Sequence, residues 1–323
     1  MVEKSRRDRV GLGLIGLGPS WEQVYREPLV RLRNRLTIRL VHDPVEARAR
    51  TVATELDAEV VGSLLQILSR PTLQGLLVLE PGWCGLGALE MLAKCGKPVF
   101  LGSPFLSRLS TLSSRDISLV TNREILERIS HSNDQLMPEL GLRFTPASCR
   151  LRELIATKLG AVKRIEIECG LADIDETTAI VDWFCDIMGS PPVKWRKVDD
   201  RNLTLPQIEF DFPQHQSSES SSTISHRTAS IRFHQDENTP ARFDCECERG
   251  HAIVTSRTRI VWRTTSETAD ESLTDERTET EILIDQFCRR ALGGLNPIGR
   301  MSEFLRAMEI ARTIRRSDYL EDL

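Results

Sequence analysis

The chain has 323 residues, 40% of them hydrophobic and 28% charged, with a net charge of −4. That length supports two ordinary domains, each with its own core. The slight acidity gives no reason to expect nucleic acid as a partner, and the absence of any run of about 18 apolar residues predicts no membrane span. Eight scattered cysteines, without a CxxC pair or a Cys/His ligand spacing, predict reduced thiols in a cytoplasmic protein and no metal site.

In chain order, Ser5-Arg6-Arg7 precedes an apolar stretch, a pattern that suggests an export signal. The stretch is short and glycine-rich and no small-residue cleavage site follows, so it is assigned to a first strand and its turn. Residues 10–15 predict that strand, 21–32 a helix, 36–43 a strand ending in Asp43, and Pro44 the opening of the next helix. A short strand over 58–62, a helix over 63–69, a buried strand over 75–82, a helix over 85–95 closed by Gly96, and a strand in "KPVFLGSPF" (97–105) complete the series. Strands alternating with helices of this length predict right-handed crossovers and a doubly wound parallel sheet of the Rossmann type over residues 1–145.

After residue 145 the pattern changes. Helices are predicted over 149–158 and 176–188, and strands with period-two alternation over 162–170 and in six segments between 193 and 264. Two helices over 276–292 and 301–316 close the chain. Residues 146–323 are therefore expected to form an α+β domain with a large, mostly antiparallel sheet, and the serine-rich tract 216–230 a solvated hairpin loop.

"GLGLIGLGPSW" holds two overlapping glycine frames. Gly11, Gly13 and Gly16 lie inside the strand, where no turn can cradle a phosphate. Gly16 and Gly18 sit at its carboxyl end just before a helix, where a dinucleotide's pyrophosphate meets the helix N-terminus. Trp21 replaces the third glycine of that frame, with Pro19 and Ser20 between. Asp43, 25 residues after Gly18, stands where an acid accepts hydrogen bonds from the adenosine ribose and repels a 2′-phosphate, which favours NAD over NADP. The plainer alternatives are a tight strand–helix turn and an Asp43 that caps its helix. Glu80, at the end of the fourth predicted strand, faces the same crevice as a base or a ribose ligand. Pro81 and Trp83 either wall the nicotinamide side or belong to the core.

Along nearly its whole length the chain resembles the Gfo/Idh/MocA family, the glucose–fructose oxidoreductase and inositol dehydrogenase relatives. The matching stretches are "VGLGLIGLG", "LVHDPVEARARTVATEL", "LLVLEPGWCGLGALEMLAKCGKPVF", "LRFTPASCRLRELIATKLGAVKRIE", "DWFCDIMGSPP" and "FCRRALGG…RMSEFLRAMEIARTIRRS". The resemblance implies a Rossmann domain followed by an α/β domain whose open sheet forms homo-oligomer contacts. It also implies NAD(P)-dependent oxidation or reduction of a sugar, polyol or related small molecule. Two positions depart from the family pattern: its Glu-Lys-Pro lysine falls on Ser103, and the histidine of its Asp-x-x-x-His on Ala179, with Asp175 kept.

Asp175, Ala179, Asp182 and Asp186 share one helical face. They form either the carboxylate wall of a cleft, with Asp175 or Asp182 as a base, or a solvated face with Asp175 as N-cap. Alcohol oxidation needs a proton acceptor and a donor for the developing oxyanion. Ser103 can donate, but nothing nearby in sequence activates it as a base. Two functions stay open. One is an NAD-dependent oxidoreductase with a displaced acid or base among Glu80, Asp175 and Asp182. The other is a catalytically silent dinucleotide- or metabolite-binding protein, a sensor or partner subunit.

Overall fold

The computed structural model describes residues 9–80, 82–83, 85–110, 120–131, 135–170, 173–198, 207–213, 227–234, 236, 239–274, 276–294 and 299–316. The chain divides into two compact units, Met1–Leu140 with Arg277–Arg306, and Gly141–Glu276 with Ala307–Leu323. The sequence reading groups everything after residue 145 together; the segment 277–306 instead packs with the first unit.

In the first unit, β1 (Val10–Ile15), β2 (Leu36–His42), β3 (Glu59–Val60), β4 (Gly75–Val78), β5 (Val99–Leu101) and β6 (Leu136–Pro138) form one sheet in the order 3-2-1-4-5-6. Every pair is parallel. This is the doubly wound order in which ligands meet the carboxyl ends of the strands. β1, β4 and β5 are wholly buried, which is why their sequences read as unbroken apolar runs rather than alternations. A π-helical turn (Trp21–Tyr25) runs into α1 (Arg26–Arg31) after β1; α2 (Glu46–Leu56), α3 (Leu64–Ser69) and α4 (Leu86–Lys94) follow the next strands. β5 is shorter than expected, because Ser103 and Pro104 open a helix, α5 (Ser103–Ser110), instead of ending a strand. Proline suits a first helical turn, where its missing N–H loses nothing. α6 (Val120–His131) and β6 were not predicted.

In the second unit a 3₁₀ turn (Gly141–Phe144) leads into α7 (Pro146–Leu154), capped by Thr145 Oγ1 on Ser148 N–H, and then a π-helical turn (Ile155–Leu159). β7 (Val162–Gly170) and α8 (Ile174–Met188) follow. Next come β8 (Lys194–Val198), β9 (Gln207–Phe212), β10 (Arg227–His234), β11 (Arg242–Cys247), β12 (Gly250–Ser256), β13 (Arg259–Thr264) and β14 (Thr268–Ser272). They make an eight-stranded sheet in the order 14-13-12-11-7-10-9-8. Every pair is antiparallel except β7 with β10. One face buries Ile165, Ile167, Phe210, Ile231 and Cys245 in a common core with Ile180, Trp183 and Phe184 of α8. On the other face cross-strand pairs such as Arg232–Glu168, Arg196–Glu209 and Arg259–Asp270 stay in water. The tract 214–226, with His215 and His226, lies outside the described residues, as do Cys84 and Pro81.

Two helices, α9 (Glu279–Ala291) and α10 (Met301–Arg316), end the fold. Phe287 of α9 lies 5.9 Å from Phe100 of β5, and a Cβ on Gly75 of β4 would stand 2.9 Å from its ring. None of the described helices is long and apolar enough to cross a membrane.

Candidate functional site

The carboxyl ends of adjacent parallel strands bring the sequence-nominated Gly16, Gly18, Asp43, Glu80 and Ser103, with Glu139 beside them, to one edge of the first sheet. Asp43 follows β2, the turn Gly16–Ser20 follows β1, Glu80 follows β4, Ser103 follows β5 and Glu139 follows β6.

The glycine turn is tied down by its own neighbours. Gly16 N–H donates to His42 O at 3.0 Å, and Trp21 N–H to Gly18 O at 3.0 Å. Asp43 is a two-armed clasp: Oδ2 accepts from Leu17 N–H at 2.7 Å and Oδ1 from Val45 N–H at 2.8 Å. Arg48 Nη1 donates to Leu17 O at 2.8 Å and completes the closure. Asp43→Ala is therefore expected to lower stability by about 1–2 kcal/mol, the usual loss when a capping side chain goes. Urea unfolding reads this, and an unchanged midpoint would mean the clasp holds nothing.

Glu80 lies over the turn. Its Oε2 accepts from Ser20 N–H at 2.9 Å, and a Cβ placed on Gly18 would fall 2.2 Å from its Cδ and 2.3 Å from Oε2. Gly18 is thus a glycine because a carboxylate crosses it. A dinucleotide's pyrophosphate would need the same space and the same donors. As folded, with one carboxylate over the turn and another clasping it, the residues present do not fit that group. Trp21, which replaces the third glycine of the frame, is buried at 3% exposed. His42 is buried, with Nδ1 3.0 Å from Val61 O and Trp83 against its ring edge at 5.4 Å.

Ser103 belongs to a different network. Its N–H donates to Glu139 Oε2 at 2.7 Å; the same oxygen accepts from Tyr25 Oη at 2.5 Å, and Oε1 accepts from Thr280 Oγ1 at 2.8 Å. Tyr25 and Glu139 are both buried. Burial, and then the charge and hydrogen bond of Glu139, push the Tyr25 phenol far above the ordinary tyrosine value, so it stays protonated. Gly102 has no side chain because a Cβ there would stand 2.5 Å from Tyr25 Oη and 3.0 Å from Leu79 O. The carboxylate is held by three donors and serves as a pin. Its members are 36, 114 and 141 residues from Glu139, which is why sequence reading missed the network.

Asp175 and Asp182 belong to the second unit. The N-cap of α8 is Asp173, whose Oδ1 accepts from Glu176 N–H at 2.8 Å; Asp175 sits half-buried in the first turn. Asp182 does not lie on a solvated face. It is 3% exposed and receives both Nε (2.7 Å) and Nη2 (2.6 Å) of Arg143, which is equally buried. Arg143 Nη1 also reaches Asp186 Oδ1 at 3.1 Å, and Arg152 Nη1 reaches Asp186 Oδ2 at 2.8 Å. Those two arginines explain an acid near a helix C-terminus, where the macrodipole disfavours it. Burial raises the Cys169, Cys247 and Cys288 thiols to about 12, so these are inert core residues.

No family model and no curated protein matches the chain. Solved structures do. UDP-N-acetylglucosamine 3-dehydrogenase from Acidithiobacillus ferrooxidans is 16% identical, covers 95% of this chain and 97% of its own, and superposes with a TM-score of 0.66. Aldose-aldose oxidoreductase from Caulobacter crescentus is 14% identical, with 97% and 98% covered and a TM-score of 0.68. A dehydrogenase from Clostridium difficile is 13% identical, with 95% and 99% covered and a TM-score of 0.67. These neighbours are oxidoreductases of the Gfo/Idh/MocA type, the type the sequence resembles. At such identities the likeness establishes the fold, over both units.

Proposed function

We propose that this chain is a degenerate relative of the NAD(P)-dependent sugar and polyol oxidoreductases. It keeps their fold and takes a sugar- or polyol-like small molecule without oxidising it at an enzyme's rate. The observation that carries the reading is the state of the nominated proton carriers. At the lysine position stands Ser103, whose main chain is bonded to a fully engaged Glu139. Glu80 is bound to Ser20 N–H, and Asp182 is locked by Arg143. Two further expectations go with this reading: a homo-oligomer built on the open eight-stranded sheet, and a cytoplasmic setting.

A general acid or base contributes about 10²–10⁴-fold in rate, and an ordinary enzyme turns over at about 10 s⁻¹. Wild-type protein assayed with NAD and NADP against a panel of sugars and polyols is therefore expected to stay below about 0.1 s⁻¹. Formation or loss of reduced nicotinamide at 1 s⁻¹ or faster on any of them would sink the reading. The crossing of Gly18 by Glu80 favours the silent sensor or partner subunit over a slow dehydrogenase.

A further inference from the structure

We propose that Glu80 is a resident occupant of the anion seat at the glycine turn, and that its carboxylate excludes a dinucleotide's pyrophosphate. The inference deepens the silent-protein reading and rests on it for its significance. Its test reads binding rather than turnover, so the inference can fail while the silent-protein reading stands.

The main chain fixes Glu80 beside the turn. Leu79 N–H donates to Ile15 O at 3.0 Å and Glu80 N–H to Gly16 O at 3.5 Å, so β4 delivers the residue next to β1's exit. From there the side chain crosses Gly18 and reaches Ser20, the first residue of a helical run that continues to Arg31. An anion is favoured at that end of a helix, where unpaired N–H groups and the macrodipole point the same way. Here the protein supplies that anion itself.

Little else in the turn is left to hold a phosphate. Gly16 N–H is given to His42 O, Leu17 N–H to Asp43, Ser20 N–H to Glu80 and Trp21 N–H to Gly18 O. Pro19 has no N–H, so Gly18 supplies the remaining donor of this turn, and the Glu80 carboxylate lies across it. A diphosphate arriving here would meet a filled space and two carboxylates of its own sign, and like-charge juxtaposition is costly in a binding site.

Removing the carboxylate should open the seat. Calorimetric titrations with NAD, NADP and ADP-ribose would compare wild type with Glu80→Ala, Glu80→Ser and Glu80→Gln. Wild type is expected to show no saturable binding below about 1 mM. Glu80→Ala and Glu80→Ser should bind NAD and ADP-ribose tighter by on the order of a hundredfold. NADP should gain less, because its 2′-phosphate meets Asp43. Glu80→Gln, which removes charge but keeps volume, should fall between. The serine variant leaves Ser20 N–H a possible partner if the alanine variant does not fold. Micromolar binding of NAD or NADP by wild type would overturn the proposal, as would folded variants that bind no tighter than wild type. ADP-ribose responding like NAD identifies the pyrophosphate end, rather than the nicotinamide, as what Glu80 keeps out. A gain confined to NAD would contradict this.

Discussion

Replacing Asp182 with alanine is expected to destabilise the second unit by about 3–5 kcal/mol, the effect of breaking a buried ion pair from one side. Arg143 would be left buried without the carboxylate that takes two of its nitrogens, while Asp186 shares its remaining hold with Arg152. For a unit of this size the loss corresponds to a melting temperature lower by about 6–20 °C. Calorimetry measures it directly. Replacing both partners with apolar residues, Arg143→Met with Asp182→Leu, should recover most of the loss, because a buried pair gives little net stability over good packing. A folded Asp182→Ala that melts within 2 °C of wild type would show that water reaches this pair, and would return Asp182 to the list of possible bases.

The second large effect is expected at Glu139. Removing its carboxylate leaves Tyr25 Oη, Ser103 N–H and Thr280 Oγ1 without their acceptor inside the first unit. Tyr25 is buried, and a buried donor left unsatisfied costs about 1–3 kcal/mol, whereas Ser103 and Thr280 reach water and lose less, so Glu139→Ala should lose about 2–4 kcal/mol. Tyr25→Phe deletes a single donor and should lose about 1–2 kcal/mol. The Tyr25 phenol is held above its unfolded value. Its contribution is therefore fully present below about pH 10 and declines as pH rises beyond the ordinary tyrosine value toward the folded one. Guanidinium unfolding at pH 8 and pH 11 should show wild type losing more stability than Tyr25→Phe over that interval. Equal losses would mean the phenol titrates as freely as in the unfolded chain.

The parts of this molecule legible in its sequence are those decided locally. Residues 10–15 and 75–78 are apolar runs bounded by turns, 36–42 alternates over its first half, and each is a strand of the parallel sheet. Leu136–Pro138 escaped because three residues ending in proline carry no periodicity; it is a strand only because β5 offers an edge. Thr268–Ser272 escaped because "TADES" is an exposed edge strand whose charged residues look like loop. The glycine turn and Asp43 were found from spacing, but not what holds them. Glu80 over Gly18, Arg143 on Asp182 and Tyr25 on Glu139 join residues 39 to 114 positions apart, or lie on different strands. No local pattern encodes such pairs. A carboxylate nominated as a base reads the same in sequence whether it is open or already bonded.

The return of residues 277–306 to the first unit bears on how the protein is made. During synthesis the strands of the parallel sheet leave the ribosome early, yet Phe287 fills the space against Gly75 and Phe100, and Thr280 completes the hold on Glu139. A nascent chain that stops at residue 145 would have the sheet's strands but an open apolar wound beside β4 and β5, where α9 belongs. The first unit to emerge is thus among the last to be finished, and it must wait for the intervening 136 residues, Gly141–Glu276, before it closes. Domains usually fold in the order they are synthesised; here that order is broken by the thread. A fragment that ends before α9 is therefore expected to leave this apolar face of β4 and β5 uncovered.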